Sequence, residues 1–162
     1  MAIFAKLDGI EGEAVDKDHA SWIEVDNASW DHHRIIDSSA RASQRTRGET
    51  MVGDIQVACA MHKGSMTVQQ YCAAGQVIPN VEIHFCRAGN DPSRGLETYL
   101  TIKLTNTLIT SYATSIAGQA IPIESLTLNA TKIEMEYKTA DQKGKQQTAS
   151  AFTWNRETNH AA

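Results

Sequence analysis

Apolar and polar residues alternate along most of this chain, the period of strands that bury one face. The alternation is longest between Val81 and Tyr137. There Val81, Ile83 and Phe85 share one face, and Glu82, His84 and Cys86 share the other. Leu100, Ile102 and Leu104 alternate with Thr101, Lys103 and Thr105, and Leu126 and Leu128 with Thr127 and Asn129. Upstream, Ile3, Ala5 and Leu7 predict an opening strand, and Ile23 and Val25 a second. A third spans Met51–Met61, with Ile55, Val57, Cys59 and Met61 on one face. After a polar hairpin loop at 140–147, residues 148–155 return as a last strand.

Two irregularities stand out in the long strands. Asn106 occupies a position where the parity of Leu100, Ile102, Leu104 and Leu108 predicts a hydrophobe. The apolar parity also switches between Ala130 and Ile133, which needs a bulge or a strand that bends between sheets. The one helical pattern is SMTVQQYCAAG, where Val68, Tyr71 and Cys72 form a stripe. Ser65 is placed to cap its start and Gly75 to end it. Residues 31–50 lose the alternation and read as a long loop. About seven or eight strands with one helix close most naturally as a mainly β barrel or sandwich.

Composition adds limits. At 162 residues the chain is read as one domain, 1–156, followed by a fraying tail, 157–162. A net charge of −4 argues against nucleic acid as a partner. Membrane insertion is not expected, because no apolar run approaches the roughly 20 residues a span needs. The first residues lack the basic and apolar regions of a secretory signal. Cys59, Cys72 and Cys86 are odd in number and widely spaced, which fits reduced, buried thiols.

No catalytic, cofactor or metal site is expected. His32 and His33 are adjacent, so in a strand they face opposite ways, and no third ligand stands at a metal-site spacing. Nucleophile-elbow and phosphate-loop patterns are absent, and Glu134 with Glu136 is the polar face of a strand. The sharpest charge feature is Arg34, Arg41, Arg45 and Arg47 against one Asp, a formal +3. Met1–Asp31 holds two Lys against eight acids, a formal −6. A phosphate-binding loop is weakened by the lack of interleaved aromatics. A solvated loop and head-to-tail self-association remain.

Several stretches together resemble the Hcp family, the tube proteins of bacterial type VI secretion. They are LDGIEGE near the start, the segment from His19 to Val25, VEIHFCRAG, YLTIKLTNTLITSY and PIESLTLNATKIEMEYK. Ala14 stands where the family often has Ser, and Met135 where it often has an aromatic. The resemblance implies a β-barrel of two antiparallel sheets flanked by one short helix. It implies a homohexameric ring, stacking into a hollow tube inside a contractile sheath and under a spike protein. It further implies assembly of the tube in the cytoplasm, export without a signal peptide, and carriage of small effector proteins in the lumen. No appended toxic domain and no enzymatic activity are expected. Ring stacking would bring Arg41, Arg45 and Arg47 against Glu11, Glu13, Asp16 and Asp18 of the next ring. Thr67, Gln69 and Gln70 would face the sheath, although a helix that merely caps the barrel fits equally. The alternatives are a monomeric β-barrel that binds a small ligand and a metal-dependent enzyme on a double-stranded β barrel.

Overall fold

The computed structural model describes residues 1–36, 41, 49–89, 95–140 and 146–161. The elements run β1 (Ala2–Leu7), β2 (Ile23–Val25), β3 (Asn27–Ser29), β4 (His32–Ile35), β5 (Glu49–Val52), β6 (Ile55–Ala60) and α1 (Ser65–Ala74). They continue as β7 (Ile78–Ala88), β8 (Leu96–Ser115), β9 (Ile123–Ala140) and β10 (Gln146–Asn155). Among the described residues there are two antiparallel sheets. The larger has the order β2-β1-β7-β8-β9-β6-β3, with β10 added on β9, and β4 pairs with β5 in the smaller.

The larger sheet curls towards closure because β2 and β3 are nearly one strand. Ile23–Val25 pairs with β1 at one edge, and Asn27–Ser29 pairs with β6 at the other. Between them the Asp26 N–H donates to the Ala58 carbonyl at 2.9 Å. The interior is filled by apolar side chains from β1, β2, β6, β7, β8 and β9, among them Ile23, Ile55, Ile83, Ile102, Leu128 and Ile133. This is the mainly β barrel with one short helix that the alternation predicts.

The long strands bend where their parity breaks. Asn106 adopts a left-handed backbone with φ 48°. The pairs on either side are Thr105 with Lys132 and Thr107 with Ala130, so Asn106 lies opposite Thr131. In β8 the buried set moves from Ile102 and Leu104 to Thr107 and Ile109. In β9 it moves from Leu126, Leu128 and Ala130 to Ile133. Asn106 is therefore not a polar residue in an apolar place; the parity changes at it, and the residue itself is exposed. Asn is one of the few residues that takes positive φ readily. The Thr131 hydroxyl donates to the Thr105 carbonyl at 3.0 Å across the bend. Beyond it β9 changes partners: Ile123–Leu128 lies on β6, and Lys132–Ala140 on β10.

Residues 10–22 fold over the outer face of β1 and β7. Gly12 is required there, since a Cβ would sit 2.2 Å from the Trp22 carbonyl oxygen. The segment closes on itself through Gly12 N–H to Ser21 O at 2.8 Å and Ala14 N–H to Trp22 O at 3.0 Å. A second small core of Phe4, Ala14 and Cys86 forms beneath it, with Trp22 and Leu96 packed alongside. That cover is why His84, on the face opposite Val81, Ile83 and Phe85, is half-buried instead of exposed.

The helix occupies the predicted residues, with Val68 buried and Tyr71 and Cys72 packed against the core. Gly75 ends it at φ 62°. Its N-cap is Gly64, not Ser65. The Ser65 hydroxyl instead accepts the His62 N–H at 2.9 Å and donates to Glu124 at 2.9 Å. Residues 31–50 are not all loop, because their ends pair as β4 and β5. Met51 and Val52 belong to β5, and Gly53-Asp54 separates them from β6. Arg45 and Arg47 lie outside the described residues. After β10 the Asn155 N–H donates to His160 O at 3.0 Å, and the His160 N–H to Asn155 O at 3.2 Å.

Candidate functional site

The acidic segment is built into its own subunit. The Lys63 ammonium reaches Glu11 at 3.0 Å, and the Lys63 N–H donates to Glu13 at 3.0 Å. These contacts tie the segment to the turn before α1. Asp16 accepts from His19 Nδ1 at 2.6 Å, which holds its carboxyl below the ordinary range. The Asp18 side chain is exposed. Of the four acids expected to face a neighbour, three thus have partners within the chain. The Glu11–Lys63 pair is exposed, and such pairs exchange partners at a cost of at most about 1 kcal/mol.

His19 carries the line inward. Its ring stacks on Phe4 at 4.4 Å, and its Nε2 lies 3.0 Å from His84 Nδ1. His84 Nε2 is 3.4 Å from a Glu82 carboxylate oxygen. Burial, reinforced by the neighbouring His19, lowers the pKa of His84. The Cys86 sulfur sits 3.9 Å from His19 Nε2, so an Asp–His–Cys line exists in outline. It lacks what a nucleophile needs. Cys86 is 0% exposed, and burial pushes its thiol up rather than down. The cluster explains why His19, Trp22 and His84 recur in the most recognisable stretches of the sequence: they pin the 10–22 segment to β7.

The basic side of the proposed charge pairing is represented by Arg41, which is exposed. On the helix only Gln70 of the expected outward set is fully exposed; Thr67 and Gln69 are half-buried. Gln69 donates its amide to the Tyr112 hydroxyl at 3.0 Å. Tyr112 in turn donates to Glu124 at 2.6 Å, so polar bonds and the Val68 stripe hold the helix together. The outward face also carries Met66, 61% exposed, which the polar pattern of the helix does not mark.

Alternation also missed an apolar surface on the β4–β5 hairpin. Ile35, Ile36 and Met51 are all exposed there. His32 packs 5.2 Å from Phe152 of β10, while His33 pairs with Asp31. The adjacent histidines thus have separate partners, as opposite strand faces require. Arg156 fastens the hairpin to the barrel. Its guanidinium donates to the Val52 carbonyl and to Asp54, each at 2.9 Å, and its N–H donates to Thr131 O at 2.8 Å.

The profile of the family described as "Type VI secretion system effector, Hcp" matches residues 4–137. The chain is a member of the Hcp family. Solved structures agree. The chain is similar to a type six secretion system protein at 25% identity and TM-score 0.88, covering 99% of both chains. It is similar to a type VI secretion system effector from Yersinia pestis at 27% identity and TM-score 0.72, covering 94% of this chain and 98% of that one. Hcp1 from Salmonella typhimurium shares the fold at 24% identity and TM-score 0.75, over 99% of this chain and 98% of that one. None of the curated proteins compared matches this chain. Hcp proteins are secreted tube proteins of type VI secretion and not an enzyme family. Among the described residues no helix is long and apolar enough to cross a membrane.

Proposed function

We propose that this Hcp chain is a ring-forming tube subunit. Its rings are homohexamers that stack into a hollow tube, pass through a contractile sheath beneath a spike protein, and leave the cell with small effectors in the lumen. The observation that carries this reading is the β4–β5 hairpin. A two-stranded sheet is marginal by itself in water. This one exposes Ile35, Ile36 and Met51 and is moored to the barrel through Arg156 and the Phe152 contact. A neighbouring subunit that covers it supplies the burial the monomer lacks. Heterologous contacts of that kind close into rings when the rotation permits.

Stacking then rests on charge. Arg41, Arg45 and Arg47 meet Glu11, Glu13, Asp16 and Asp18 of the next ring, with Glu11 exchanging Lys63 for arginine. The helix turns Met66 and Gln70 outward to the sheath, with Thr67 and Gln69 at the margin of that face. The alternative of a ligand-holding monomeric barrel finds no support in an interior filled by Ile55, Ile83, Ile102 and Leu128.

Native mass spectrometry tests the ring. A species six times the 17.8 kDa chain is expected, and a monomer that persists at high concentration overturns the proposal. Stacking is tested by Arg41→Glu, Arg45→Glu and Arg47→Glu together. Electron microscopy should then show rings without tubes, and unchanged tubes at low salt would refute the charge contact.

A further inference from the structure

The end of β6, the turn before α1 and the start of β9 gather three ligand-type side chains. Cys59 and Glu124 are direct partners in the β6–β9 ladder, and His62 follows Cys59 by three residues. A sulfur, an imidazole nitrogen and a carboxylate oxygen from these residues all lie within 4.8 Å of one another. Cys59 and Glu124 are 0% exposed, and the His62 side chain is 7% exposed. His62 Nε2 is buried with no hydrogen-bond partner. It points at Glu124 Oε2 from 4.0 Å, beyond hydrogen-bond reach. An imidazole nitrogen aimed at a carboxylate but held short of it is an arrangement that a shared cation satisfies.

We propose that Cys59, His62 and Glu124 form a binding site for a divalent transition metal of the zinc class. Thiolate, imidazole and carboxylate are the donors such ions take, with bonds of about 2.0–2.3 Å. Those lengths ask the three atoms to draw in by roughly 1 Å. Charge also balances, since one thiolate and one carboxylate neutralise a divalent cation inside a buried site. Without metal, burial and the Glu124 charge push the Cys59 thiol up to about 12. Metal binding displaces that proton, and one proton leaves per ion bound. The His62 ring stays neutral. Its Nδ1 now accepts the Gly64 N–H at 3.1 Å. Coordination through Nε2 shifts the ring proton to Nδ1 and gives up that contact.

The surroundings are suited to the role. Glu124 is already oriented by the Tyr112 hydroxyl at 2.6 Å and the Ser65 hydroxyl at 2.9 Å, the outer-layer bonds that fix a ligand carboxylate. A surface pocket lined by Glu13, Glu24, Met61 and His62 gives an acidic approach for a cation. Bound metal would lock the turn before α1 to β6 and β9. The sequence carries the trace as Cys59-x-x-His62, but Glu124 is too remote in the chain to be associated with it.

The test uses the full chain, reduced and stripped with a chelator, then titrated with Co(II) and afterwards Zn(II). One Co(II) per chain should bind with a thiolate-to-cobalt charge-transfer band, and an equivalent of Zn(II) should abolish the band. Cys59→Ser should remove it, His62→Gln should weaken Co(II) binding at least about tenfold, and Cys72→Ser and Cys86→Ser should retain it. Wild-type protein with no band, or a band that survives Cys59→Ser, overturns the proposal. Should Cys59→Ser not fold, the wild-type stoichiometry and the His62→Gln affinity decide it: an unchanged affinity in His62→Gln overturns the site.

Discussion

Asn106 shows how one residue redirects two strands. Its φ of 48° is unfavourable for residues with a branched β-carbon, and the bend places it opposite Thr131 in β9. Asn106→Val should therefore cost about 1–2 kcal/mol in chemical denaturation at fixed protein concentration, whereas Asn106→Gly should be nearly neutral. The periodicity of β8 marked this residue as anomalous, because a polar side chain broke an apolar parity. It did not reveal the cause, since a left-handed backbone leaves no trace in hydropathy. Alternation places His84 on the outer face, and only the fold shows residues 10–22 covering that face. The pKa values of Asp16 and His84 are both lowered in the folded protein. A histidine lowered below its unfolded value binds fewer protons when folded, so its contribution is complete above about pH 6.5 and declines as the pH falls. Asp16 contributes above about pH 3.9, and that contribution is lost on further acidification through its folded pKa. Thermal midpoints should consequently fall as the pH drops below about 6.5, and His84→Gln should flatten the first part of the decline. A midpoint that stays constant as the pH falls from about 6.5 to about 5 would contradict this assignment.

At the scale of elements, the helix was the most legible part. Its apolar stripe, its length and its Gly75 stop are local, and local patterns survive in sequence. The role of Ser65 was not legible, because its acceptor Glu124 lies 59 residues away. Ser65 contributes through a side-chain bridge between helix and barrel, not through a cap. Ser65→Ala removes a donor from a fully buried carboxylate, which should cost about 1–3 kcal/mol. Chemical denaturation measures the loss, and hydrogen exchange should place the loosening in α1. A surface-cap role would predict a smaller loss with no change around Tyr112. The β4–β5 hairpin was the least legible element. Its strands are four residues each and β4 is exposed throughout, so the burial that produces alternation is missing there in the monomer.

Across the whole molecule, the charge imbalance between the Arg-rich stretch and the acidic N-terminal region was readable in the sequence, but its internal use was not. Lys63 and His19 already engage Glu11, Glu13 and Asp16, so any contact between subunits must compete with these bonds. Apolar and electrostatic self-association respond differently to salt. Exposed charges are screened over roughly 8–10 Å at physiological ionic strength, while burial of apolar surface is not weakened in this way. If Ile35, Ile36 and Met51 form the contact within a ring, rings should persist in high salt while stacks of rings come apart. Ile35→Glu with Met51→Glu should do the reverse of the arginine reversals, giving monomers whose folding stability stays within about 0.5 kcal/mol of the parent monomer, because both side chains are already exposed. Sedimentation velocity across a salt series separates the cases. Loss of rings on adding salt, with rings intact in the double variant, would assign ring closure to charge and remove the hairpin from it.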